Sequence, residues 1–264
     1  LVVIIISSII TPQGILSATS DEWETIENEY FIIYYRPGYI QDAYLISNIS
    51  LQARNFTINA FPHELDTRVK VYLYDWDTWY GGVGTCYAYP EKPAIAFLTP
   101  SDVLPSYKKW IDDVWYLHAF VHEYTHIATL REAYLNNNEE YIPKWLSEGI
   151  AEYIALFRTT EEICERYMNA HAKYYGQVED LVKRGDGYLL QIASDWYYRS
   201  PFVVMYMYET YGEDKMVELF HSLAEGNGLI STFQEVLNVS YIGFEANWLK
   251  WAIEHYNADP SLYP

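Results

Sequence analysis

Cysteine is nearly missing from this sequence. Cys86 and Cys164 are the only two in 264 residues, too few for a disulfide scaffold, and their spacing fits no zinc knuckle. They read either as one pair in an oxidising compartment or as two separate buried thiols. Positive charge is scarce too: 17 Lys and Arg stand against 36 Asp and Glu, for a net charge of −19. That balance repels phosphate backbones and anionic headgroups, which argues against nucleic acid and anionic membrane surfaces as partners. Long apolar runs are lacking as well. Residues 1–10 (LVVIIISSII) reach only half of the roughly 20 residues that span a bilayer. No internal repeat or low-complexity segment is visible. Aromatic residues, by contrast, are abundant, with 28 Tyr, 10 Phe and 9 Trp, and half of all residues are hydrophobic. This content excludes a disordered chain, and the length suits one large domain or two modest ones.

The apolar residues 1–10 are broken by Pro12 and Gly14 and followed by Leu16-Ser17-Ala18. We read residues 1–20 as a signal-peptide remnant, with Ala18 as a cleavage position, or as an N-terminal anchor. The rival reading is a buried strand rich in Ile and Val. The expected location is therefore secreted or cell-surface, with any membrane attachment made through this segment.

The pattern that follows predicts an α+β protein. Residues 29–36 (EYFIIYYR) are β-branched and aromatic and are closed by Pro37-Gly38, so they form a strand. Residues 40–60 carry apolar positions at helical spacing. Residues 67–74 (TRVKVYLY) alternate apolar and polar, as a half-buried strand does. Residues 75–93 read as a loop, with Trp76, Trp79, Gly81, Gly82 and Gly84. Residues 94–98 (AIAFL) are a short strand ended by Thr99-Pro100. Only helices are expected after residue 106: residues 114–130, 145–157, 201–211 (closed by Gly212) and 213–225 (closed by Gly226). A short helix follows with Ser231 and Gln234 as a capping box. In the last helix Phe244, Trp248, Trp251 and His255 form one core-facing stripe. The expected architecture is a small N-terminal β-sheet with helices packed on it, followed by an all-helical part. The division is residues 21–158, holding a metal site, and residues 159–264.

The chemistry is concentrated in His122-Glu123-Tyr124-Thr125-His126. Residues four apart on a helix leave the same face one turn apart, so both imidazoles can meet one Zn²⁺. Glu123 points about 100° away. It is poorly placed as a ligand but well placed to take a proton from an activated water. The residues Val114, Leu117, Val121, Tyr124 and Ala128 form the expected buried stripe, with His122 and His126 half-buried beside it. His118 lies one turn earlier and reads as a structural or cleft-lining histidine, because Ala119 follows it where a base would be needed.

Zinc needs a third protein ligand. The next helix, Trp145-Leu-Ser-Glu148-Gly-Ile-Ala-Glu152-Tyr153, is apolar nearly all round yet carries two carboxylates one turn apart. Buried carboxylates need cations or donors. Glu148 reads as the third ligand, and Glu152 as the acceptor for the second ring N–H of His122. Gly149 is expected to leave room beside the metal. The bland alternative is a solvent-facing Glu pair.

The H-E-x-x-H sequence followed by W-L-S-E-G-I-A-E-Y resembles the gluzincin metallopeptidases, and most closely the peptidase-MA-like family. The likeness covers roughly residues 23–255, including residues 31–36, residues 197–212, Gly226 and residues 244–248. It implies a zincin-like fold, with His122, His126 and Glu148 as zinc ligands and Glu123 as the general base. It also implies that Tyr197, ahead of Ser200, stabilises the oxyanion, with Tyr198 as its rival. Pro201 departs from the family pattern, which has a small residue there. By analogy, residues 94–98 form the sheet edge that pairs with an extended peptide.

The function expected is zinc-dependent hydrolysis of peptide bonds, as an endopeptidase because no motif anchors an amino terminus. The alternatives are a non-catalytic secreted or cell-surface binding module that keeps the fold, and a zinc amidase of another class. The acidic balance favours basic substrates weakly, through steering.

Overall fold

The computed structural model describes residues 23–76, 84–87, 92–167 and 196–256. The signal or anchor reading of residues 1–20, and Trp79, Gly81 and Gly82 of the aromatic loop, lie outside these residues. The chain forms two compact units, Leu1–Arg131 and Glu132–Pro264. The divide falls inside the second helix of the fold, where the sequence pattern put it near residue 158. The helix of residues 144–157 groups with the C-terminal unit because it packs along the helix of residues 196–211.

In the first unit, β1 (Glu24–Glu27), β2 (Phe31–Tyr35), β3 (Val69–Tyr74), β4 (Gly84–Tyr87) and β5 (Ala94–Leu98) form one sheet in the order β1-β2-β3-β5-β4. β2, β3 and β5 run parallel, and the two outer strands are antiparallel to their neighbours. Alternation puts Phe31, Ile33, Val69, Val71 and Leu73 on one fully buried face. The opposite face carries Tyr34 stacked on Tyr72 at 4.7 Å, with the indole of Trp23 edge-on to Tyr72 and Tyr74. All five residues of β5 are buried, as an unbroken apolar run in an interior strand should be.

Two sequence expectations change here, and one strand that the pattern did not predict is added. β1 has no apolar alternation: Glu24, Thr25 and Glu27 are exposed, as suits a short charged edge strand. Its link to β2 is fixed by Asn28, whose side-chain oxygen accepts the N–H groups of Tyr30 and Phe31. The segment read as one loop, residues 75–93, contains β4. Consequently β5 is not an edge. β4 lies outside it, pairing Gly84 with Phe97 and Tyr87 with Ala94.

α1 (Ile40–Ala60) spans the predicted residues. Its buried positions Ala43, Ile46, Ser50, Ala53, Thr57 and Ala60 repeat every three or four residues. α2 (Asp113–Asn136) runs longer than predicted at its C-terminal end. It lies on the sheet through Phe120, 5.5 Å from Phe31 and 5.4 Å from Phe97, and through Tyr124, 5.5 Å from Phe31. The Tyr116 hydroxyl donates to the Leu98 carbonyl at 2.9 Å, tying the start of α2 to the end of β5. Burial raises the pKa of the Tyr116 and Tyr124 phenols, so both stay protonated and neutral in the core.

The second unit contains α3 (Lys144–Phe157), α4 (Trp196–Tyr211), α5 (Glu213–Ala224), α6 (Leu229–Val236) and α7 (Tyr241–Tyr256). α4 begins before Pro201, which sits inside the helix rather than opening it. Gly212, with φ of +85°, both ends α4 and starts α5. Gly226, with φ of +89°, closes α5 as predicted. Ser231 is not an N-cap. α6 starts one turn earlier, after Gly228, and the Ser231 hydroxyl donates back to the Gly228 carbonyl at 2.8 Å. In α7 the core stripe is Phe244, Trp248 and Ala252. Trp251 is half-buried and stacks on the exposed His255 at 4.2 Å, so this pair borders the core instead of filling it. Cys164, in the helical residues 161–167, is a free thiol. Among the described residues, no helix is long and apolar enough to cross a membrane.

Candidate metal centre

The middle of α2 is buried all round. Every residue from 118 to 129 is buried, whereas Val114 and Leu117 of the predicted stripe are only half-buried. The amphipathic expectation was therefore too narrow, because a helix enclosed on all sides shows no polar face. His122 and His126 are completely buried rather than half-buried, at 0% and 3% exposure. His118 is buried too.

Thr125 and Thr129 satisfy their hydroxyls within this enclosure. Thr125 donates to the Val121 carbonyl at 2.7 Å and lies 3.2 Å from the Thr57 hydroxyl on α1. Thr129 donates to the Thr125 carbonyl at 2.9 Å. These bonds fix the turn that carries the histidines.

The two imidazoles sit edge to face, 82° apart in plane, with their Nε2 atoms 3.1 Å from each other. Two nitrogens bound to one tetrahedral zinc at about 2.0–2.1 Å stand about 3.3–3.4 Å apart. The pair is thus spaced as two donors to one ion. Glu148 completes a set in which one ligand atom from each of His122, His126 and Glu148 lies within 4.8 Å of the others, all three residues being buried. Two imidazoles and one carboxylate are a borderline-soft donor set that suits Zn²⁺ and leaves its fourth position for water or substrate. The residues fit the metal the sequence implied.

The remaining predicted residues fall as follows. Glu123 is fully buried on α2, in the turn between the two histidines. Glu152 is buried at 5% exposure on α3, one turn after Glu148, so the solvent-facing reading of this pair is excluded. Tyr197 and Tyr198 lie on the first turn of α4, but their side chains fall outside what the structure describes.

Gly149 differs from the expectation. The space at its α-carbon is taken up by α4 and not kept for a metal: a β-carbon there would stand 2.9 Å from the Ser200 and Val204 side chains and 3.0 Å from the Ser200 carbonyl. A lone glycine inside an otherwise strong helix was the available signal for this contact.

Residues 72–254, well over half of the chain, match the Peptidase MA superfamily. The chain belongs to this superfamily. The gluzincin-type likeness read from the two metal motifs agrees with that membership, and the α+β, zincin-like fold is the one found. No curated protein matches the chain. Among solved structures, a mutant of a two-domain M1 zinc metallopeptidase bound to L-arginine is similar at 13% identity and a TM-score of 0.43. The match covers 92% of this chain and 53% of that one, so the chain spans about half that protein's length.

Proposed function

We propose that this member of the peptidase MA superfamily is a zinc metallopeptidase that cleaves peptide bonds within protein or peptide substrates. The observation that carries the reading is the buried His122–His126–Glu148 donor set, with Glu123 buried on the same helix turn as the histidines. A zinc ion held by these residues supplies Lewis acidity towards a water molecule and the scissile carbonyl. Glu123 takes the proton from the attacking water and passes it to the departing amine. Tyr197, or Tyr198 in its place, donates a hydrogen bond to the carbonyl oxygen as negative charge gathers there. Glu152 accepts the second N–H of His122 and holds that ring's tautomer.

The substrate strand pairs with the outer edge of β4, the last strand of the sheet among the described residues, since β5 is enclosed between β3 and β4. An extended peptide there gains main-chain hydrogen bonds whatever its sequence, which suits cleavage away from the chain ends. The acidic balance adds a weak, salt-sensitive preference for basic substrates. An extracytoplasmic location belongs to the same proposal and rests on residues 1–20 alone.

Cleavage profiling on a mixed peptide library tests the reading. The expected result is internal cleavage that a chelator abolishes and added zinc restores. Equal cleavage with and without chelator, or none by the zinc-loaded protein, would overturn it.

A further inference from the structure

Gly149 stands in the middle of α3, next to Glu148, where a glycine costs about 1 kcal/mol of helix stability relative to alanine. The structure gives a spatial reason for it. The three atoms crowding a β-carbon at this position all belong to one short stretch of α4, Ser200 and Val204, and one of them is a backbone carbonyl oxygen, which cannot rotate away. Ser200 and Val204 are both fully buried. Gly149 is therefore a seat at which α4 packs directly on the backbone of α3.

Two features of α4 make this seat consequential. Pro201 follows Ser200 directly and has no N–H, so it offers no helical hydrogen bond to the carbonyl of Tyr197. The first turn, residues 196–200, is then held to the rest of α4 by fewer backbone bonds, and its packing on α3 does more of the positioning. That same turn carries Tyr197, three residues before Ser200 and so about one helical turn away. On the α3 side, the neighbour of the seat is Glu148.

We propose that Gly149 is a positioning residue: its contact with Ser200 sets how α3, with Glu148, and the first turn of α4 are held against each other. The inference rests on the metallopeptidase reading for the roles of Glu148 and Tyr197. Restoring ordinary contact distances around a β-carbon requires a shift of several tenths of an ångström between α3 and α4. Displacements of about 1 Å at positioning residues cost on the order of 10²-fold in rate, so a shift of half that size is expected to cost about tenfold.

The test uses the full chain and measures zinc affinity by chelator competition, kcat and KM on a peptide from the library, and the melting temperature. Gly149→Ala is expected to weaken zinc binding and to lower kcat about tenfold in zinc-saturated protein, with KM little changed. The triple variant Gly149→Ala/Ser200→Gly/Val204→Ala removes two of the three close contacts and is expected to recover a measurable part of both losses. If Gly149→Ala does not fold, the triple variant is compared with Ser200→Gly/Val204→Ala, and weaker zinc binding in the triple supports the proposal. A lower melting temperature with unchanged zinc affinity and unchanged kcat would overturn it, leaving Gly149 a packing role alone. Failure of the metallopeptidase reading would be seen separately, as wild-type protein that binds zinc but cleaves nothing. The zinc-affinity ratio between variant and wild type would still decide the role of Gly149.

Discussion

Replacing Glu123 with Gln keeps the shape of a fully buried side chain and removes its charge and its basicity. Side-chain volume is almost unchanged, so no cavity forms in α2. The variant is therefore expected to fold, with its fold and zinc content checked beside its activity. Activity should fall. A positioned general base contributes roughly 10²–10⁴ in rate, about 3–5 kcal/mol at 1.36 kcal/mol per tenfold. Glu123→Asp separates position from charge, because it keeps the carboxylate but withdraws it by one carbon–carbon bond, about 1.5 Å. It is expected to lose on the order of 10²-fold. The assay is kcat/KM on a peptide identified by the library, with zinc content and melting temperature measured on the same samples. A Gln variant that holds its zinc and keeps more than about a third of wild-type kcat/KM would refute the assignment of Glu123 as base.

Two further outcomes follow from particular side chains. Of Tyr197→Phe and Tyr198→Phe, one is expected to lower kcat on the order of 10²-fold while leaving zinc affinity and KM nearly unchanged; if both keep wild-type kcat, neither tyrosine is the oxyanion donor. On α5, a hydrogen bond with Glu132, at 2.7 Å, raises the pKa of His221 above its usual 6.5, aided by the charges of Glu132 and Glu225. A raised folded-state pKa means that the stabilisation is fully present below about pH 6.5 and is lost as pH rises through the folded value. His221→Gln should therefore lower the melting temperature at pH 6 and leave it unchanged at pH 9. The ring is 55% exposed, so the effect stays below about 1 kcal/mol. A larger loss at pH 9 than at pH 6 would show the linkage to be wrong.

Much of the fold was legible because its signals are periodic. α1 declared itself by apolar positions at helical spacing, β3 by alternation, and β2 by its β-branched and aromatic run closed by Pro37-Gly38. β1 and β4 were missed for a common physical reason. Each is a four-residue outer strand, held by its neighbour's backbone rather than by an apolar pattern of its own. That omission had a functional consequence, since it made β5 look like the sheet edge. α4 was cut short because proline usually opens a helix, and here the turn before Pro201 is packed on α3 through Ser200 and Gly149. The metal centre was more legible than the strands. H-E-x-x-H and the W-L-x-E-G sequence each fix residue type and spacing together, and the structure brings His122, His126 and Glu148 within 4.8 Å. Their full burial was not legible, because the enclosure of α2 depends on the sheet and on α1, which lie far from it in sequence.

In the proposed mechanism Glu148 shares one zinc ion with His122 and His126. Metal analysis of wild type and of Glu148→Gln, after dialysis against a weak chelator, tests it most directly. One zinc per chain is expected in the wild type and at least a tenfold loss of zinc affinity in the variant, with the melting temperature of the two metal-free proteins equal to within a few degrees. A Glu148→Gln protein that still holds one zinc per chain with wild-type affinity would contradict it.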